Sequence, residues 1–125
     1  MRICTYFDSG YESRGRVLIS SIMDFEEDGH APIDISVLLL DNEVNARGSL
    51  IQSTRLPEFV LASGFDSFLI SDRSRVEQIF SIGPSFLLQQ AASLSADEWI
   101  VYVDADLYFL RPISNTSPIS QRPTW

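Results

Sequence analysis

The 125-residue sequence predicts an α/β protein, a mostly parallel sheet flanked by helices. Two observations point there. Strand-like and helix-like segments alternate along the chain, and Ile33 to Leu40 is a near-continuous run of Ile, Val and Leu, as expected of a strand buried on both faces. A third concerns function. Acidic residues stand at the carboxyl ends of the expected strands: Asp8, Asp41, and the pair Asp104 and Asp106. In open parallel sheets, ligands collect outside those ends, at the point where strand order reverses.

The elements follow in order. Residues 2 to 7 read as a first strand, stopped by the turn-forming Asp8-Ser9-Gly10. Ser13 to Phe25 has helical spacing, with Val17, Leu18, Ile22 and Phe25 near one face and Gly15 as a weakening residue. Ile33 to Leu40 is the second strand, closed by Asp41-Asn42. Residues 43 to 56 fit a helix limited by Gly48 and Pro57, while Phe59 to Ala62 and Phe65 to Ile70 are alternative strands. Ser74-Arg75-Val76-Glu77 has capping-box spacing, followed by Val76, Ile79 and Phe80 at helical intervals. Gly83-Pro84 suits the start of a further helix, whose faces carry Phe86, Leu87, Gln90, Ala91 and Leu94. Trp99 to Val103, an apolar run of strand length and composition, is the last strand and reads as buried.

Composition excludes several function classes. An apolar fraction of 45% supports one folded core and argues against a disordered chain. The net charge of -8, with all nine basic residues Arg and no Lys, argues against a basic face for nucleic acid or anionic lipid. An anionic ligand then needs a metal or locally placed Arg residues to receive it. The single Cys4 excludes an internal disulfide and reads as a buried thiol. No apolar run reaches membrane-spanning length and nothing resembles a secretory leader, so a cytoplasmic location is expected. Asn115-Thr116-Ser117 matches a glycosylation acceptor, which a chain without export reads as chance.

Asp104 and Asp106 directly follow the last strand-like run, and residues two apart on extended backbone face the same side. Two carboxylates held together repel by roughly 1 to 4 kcal/mol, depending on solvent screening. A divalent cation or a shared proton removes that penalty. The alternative is a solvated turn, where Asp is common.

Three blocks carry a resemblance: Phe7-Asp8-Ser9-Gly10-Tyr11 with Arg14-Gly15, then Arg73-Ser74-Arg75-Val76-Glu77 with Pro84-Ser85, then Tyr102-Val103-Asp104-Ala105-Asp106-Leu107-Tyr108-Phe109 ending in Arg111-Pro112. In this order they resemble bacterial glycosyltransferase-like proteins of the A-type (GT-A) nucleotide-diphospho-sugar transferase superfamily. The resemblance implies a Rossmann-like half-domain over residues 1–113 that binds the nucleotide-diphosphate sugar; residues 114–125, with Pro118, Pro123 and several Ser and Thr but no periodicity, read as an irregular or disordered tail. It implies that Tyr6, Phe7 and Asp8 hold base and ribose, with Tyr11 stacking or packing nearby. Asp104 would face the ribose or a metal-bound water, and with Asp106 hold Mn²⁺ or Mg²⁺ bridging the diphosphate. Arg14, Arg73 or Arg75 could approach the phosphates, the alternative for each being a solvated or salt-bridged helix residue.

The pattern also departs from the family. Such enzymes complete their metal shell with a His or an acid far downstream, but 19 residues follow Asp106 and the sole histidine, His30, lies upstream. The acceptor half and a catalytic base are missing, so the expectation is a transferase truncated after its Asp-x-Asp segment and active poorly or not at all. An exposed sheet edge left by that truncation would favour self-association. Two alternatives remain: a non-catalytic remnant or interaction module, and a hydrolase of the haloacid dehalogenase type. The hydrolase usually has Thr or Val where Tyr108 stands and carries its motif near the amino terminus.

Overall fold

The computed structural model describes residues 1–25, 33–41, 52–64 and 71–111. Strand β1 (Arg2–Phe7) leads through a 3₁₀ turn (Ser9–Tyr11) into helix α1 (Glu12–Met23). Strands β2 (Asp34–Leu39) and β3 (Ser53–Arg55) follow, then helices α2 (Leu56–Ser63) and α3 (Arg75–Ala92), and strand β4 (Ile100–Tyr102). The four strands form one sheet in the order β3-β2-β1-β4. Every pair is parallel, with Arg2 opposite both Asp34 and Ile100, and Val37 opposite Ser53. The expected α/β architecture with a parallel sheet is present.

Side chains alternate across the two central strands, and that period of two divides the core. Ile3 and Phe7 of β1, with Ile35, Val37 and Leu39 of β2, pack with Leu18, Ile19 and Ile22 of α1. Cys4, together with Leu38 and Leu40, packs on the other face with Phe59 of α2 and Ile82 and Phe86 of α3. Phe59 meets Phe86 edge to face, ring centroids 6.0 Å apart. The result is three layers, helix on sheet on helices. Burial pushes the Cys4 thiol up to about 11, as its position inside an apolar layer requires.

Several expectations are corrected. In α1 the buried stripe is Gly15, Leu18, Ile19, Ser21 and Ile22; Val17 faces solvent. Residues 53–55 extend the sheet instead of ending a helix, because the free edge of β2 offers partners: the Val37 N–H donates to the Gln52 carbonyl at 2.8 Å. The remainder of the expected 43–56 helix lies outside the described residues. The strand expected at Phe59 to Ala62 is helical, within α2. Pro57 stands at the second position of that helix, where its missing N–H has no intrahelical partner to lose, and Gly64, at φ 66°, ends it. The alternative strand Phe65 to Ile70, His30, the 114–125 tail and the Asn115 acceptor lie outside the described residues.

Gly83-Pro84 does not begin a new helix. Pro84 lies inside the single 18-residue α3, on its exposed side, where the carbonyl deprived of a partner can turn to water. The box predicted at Ser74 does open α3: its backbone N–H donates to Glu77 Oε2 at 2.9 Å, and the Glu77 N–H to Ser74 Oγ at 3.4 Å. Strand β4 is shorter than expected and lies at an edge, with Val101 and Tyr102 exposed rather than buried. No helix among the described residues is long and apolar enough to cross a membrane.

Candidate functional site

Strand β1 lies between β2, reached directly from it, and β4, reached from β3 back across the sheet, so the connections on its two sides run in opposite directions. A crevice opens where they part, outside the carboxyl ends of β1 and β4. It holds a cavity of about 300 Å³ lined by Tyr6, Phe7, Asp8, Tyr11 and Leu40, by Val76, Ile79 and Phe80 of α3, and by Tyr102, Asp104, Ala105 and Asp106.

The β1 side is set by a tight turn. Asp8 is the last extended residue, and the Tyr11 N–H donates back to its carbonyl at 3.1 Å. Asp41, at the end of β2, accepts from the Ser9 backbone N–H at 3.1 Å and from the Ser9 hydroxyl at 2.9 Å. Its role is thus to moor the loop after β1. The Asp8 Oδ1 atom is buried without a hydrogen-bond partner among the described residues. A carboxylate oxygen in that state is a ready acceptor for a ligand's N–H or O–H, or for a cation.

The β4 side carries the acid pair. Regular pairing ends at Tyr102, and a turn follows in which the Leu107 N–H donates to the Asp104 carbonyl at 3.2 Å. In–out alternation nevertheless continues past the last ladder residue: Val103 and Ala105 are buried against the α1 layer, while Asp104 and Asp106 are exposed on the cavity rim. The two carboxylates therefore share a side, held there by buried Val103 and Ala105 and by the Val103 N–H, which donates to the Cys4 carbonyl of β1 at 2.9 Å. Farther on, the Phe109 N–H donates to Ser21 Oγ in α1 at 3.1 Å, tying the segment down.

Tyr6 and Tyr102 stack across β1 and β4 with centroids 5.2 Å apart and planes 25° apart. The Tyr102 hydroxyl donates to Asp104 Oδ1 at 2.7 Å. Partial burial first, and then that hydrogen bond to Asp104, pushes the Tyr102 phenol well above its usual range.

Of the residues singled out in the sequence, Tyr6, Phe7, Asp8, Asp104 and Asp106 line one cavity, as does Tyr11. Arg14 stands outside the lining, its guanidinium 5.0 Å from the centre of the Tyr11 ring. Arg75 is exposed at the first position of α3 and does not line the cavity, and Arg73 donates to Ser81 Oγ at 3.0 Å. Sequence reasoning missed Tyr102 as a site residue, and missed Val76, Ile79 and Phe80 as a cavity wall. The spacing of those three on one helix face was the available signal; the crevice that the face overlooks is a tertiary fact.

Among the described residues, three carboxylates and no basic side chain line the cavity. An anionic ligand would meet net repulsion there unless a cation came with it. Among the described residues no group of three His, Cys, Asp or Glu is arranged to enclose a metal ion. Asp104 and Asp106 do offer hard oxygen donors on one rim, a donor type suited to Mn²⁺ or Mg²⁺. No known protein family, curated protein or solved structure matches the chain.

Proposed function

We propose that this chain is the donor-binding portion of a metal-dependent glycosyltransferase, taking a nucleotide-diphosphate sugar with Mn²⁺ or Mg²⁺ at the β1/β4 crevice. One observation carries the reading: Asp8, Asp104 and Asp106 come from two strand ends far apart in sequence and converge on a single cavity with an aromatic wall. In it, Tyr6, Phe7 and Asp8 receive base and ribose, and the unpartnered Asp8 oxygen supplies the acceptor that a base N–H or ribose hydroxyl requires. Asp104 and Asp106 would hold the cation. When bound, the metal supplies Lewis-acid stabilisation of the departing nucleoside diphosphate. Arg14, beside the lining residue Tyr11, and Arg75, next in sequence to the lining residue Val76, would reach the phosphates only by moving their long side chains.

Titration calorimetry with a uridine or guanosine diphosphate sugar tests the reading. Binding is expected with Mn²⁺ present and not without it. Asp106→Ala should abolish metal-dependent binding and leave the melting temperature unchanged or raised, because an exposed like-charge neighbour is removed. Nucleotide affinity unaltered in that variant would overturn the assignment. Phosphate release from a simple phosphoester, lost in Asp104→Asn, would favour a hydrolase instead. The reading also includes self-association through the outer edge of β4, which has no strand partner among the described residues.

A further inference from the structure

The Asp104 side chain is exposed, yet it does not hang free. Its backbone is clamped between buried Val103 and Ala105, which leaves two side-chain torsions to be fixed. The Tyr102 hydroxyl, 2.7 Å from Asp104 Oδ1, restrains them. Tyr102 is itself held by stacking on Tyr6. Tyr6 in turn fills the space that Gly83 leaves open in α3, where a Cβ would lie 2.7 Å from the Tyr6 hydroxyl. A chain of contact thus runs from α3 through two rings to one carboxylate. Among the described residues Asp106 has no comparable tether.

We propose that Tyr102 is a positioning residue that orients Asp104, occupying one carboxylate oxygen so that the other is presented to the cation-bound ligand. This rests on the donor-binding reading above. A carboxylate pre-set by a neighbouring donor loses less freedom when it captures a ligand, and its geometry is narrower. The arrangement also divides the two acids: Asp104 is the fixed member of the pair, and Asp106 adapts to the ion.

Tyr102→Phe is the decisive variant, because it keeps the ring that stacks on Tyr6 and deletes only the hydroxyl. Mn²⁺-dependent binding of a uridine diphosphate sugar should weaken about tenfold or more. The electron paramagnetic resonance spectrum of bound Mn²⁺ should change as well, a signature that a merely structural role would leave alone. The melting temperature should be unaltered. If the unmodified chain binds and Tyr102→Phe binds with the same affinity and spectrum, the positioning role is wrong and the donor-binding reading stands. If the unmodified chain shows no Mn²⁺-dependent binding at all, both fall together.

Discussion

Gly15 and Gly83 admit aromatic rings on opposite faces of the sheet. At Gly15 a Cβ would lie 2.4 Å from Cε1 of Phe7, whose ring is buried. Overpacking of that kind costs about 1 to 3 kcal/mol, against about 1 kcal/mol gained from the better helix former. Gly15→Ala should therefore lower the melting temperature, and adding Phe7→Leu should recover part of the loss; an increase in stability for the single variant would contradict the packing. Sequence inspection registers Gly15 only as a flaw in a helix, since the ring that needs it comes from another element. The carboxylates were easier to read. Asp8, Asp104 and Asp106 stand at strand ends, where neighbouring residue types already suggest a site. The task of Tyr102 was not legible, because a tyrosine in an apolar run looks like packing until its hydroxyl is placed.

At the scale of elements, α3 depends on its first turn. The Ser74 hydroxyl and then the Ser74 backbone N–H hold the Glu77 carboxyl below its usual range. A carboxyl depressed by folding adds stability above its unfolded pKa, and that contribution disappears as pH falls through the folded value. Acid should loosen the amino end of α3, and Glu77→Gln should flatten the acid limb of a melting-temperature profile. Removing the cap outright in Ser74→Ala should cost about 1 kcal/mol at neutral pH, read by denaturant titration. An acid limb equally steep in Glu77→Gln would rule out this source.

This cap was legible because its residues are neighbours in sequence. Two other elements were not. Ser53-Thr54-Arg55 has no apolar pattern and becomes a strand only because β2 has an edge to fill. The short apolar run beginning at Phe59 is compatible with strand or helix, and Phe86 on a different helix settles where it goes. Pro84 misled for a related reason. Proline marks helix starts on average, but an exposed position inside a long, otherwise well-packed helix can absorb the lost hydrogen bond.

On the scale of the whole molecule, the parallel sheet could be anticipated from alternating segments, whereas the position of β4 could not. Its outer edge, with exposed Trp99, Val101 and Tyr102 alongside, is a surface of the kind that pairs with another strand. Sedimentation velocity should show concentration-dependent association, reduced in Val101→Lys, because a charge on an edge strand opposes pairing. A chain that stays monomeric at every concentration would remove self-association from the functional reading.

The cavity draws its two kinds of wall from separate halves of the interior. The segment bearing Asp104 and Asp106 is anchored by Val103, Ala105 and Phe109 to the layer shared with α1, while Val76, Ile79 and Phe80 belong to a helix on the opposite layer. Charge and contour are consequently separable. Resculpting the α3 surface offers a way to alter which molecule is admitted without disturbing the acids that would grip it, and repacking beneath α1 offers the reverse.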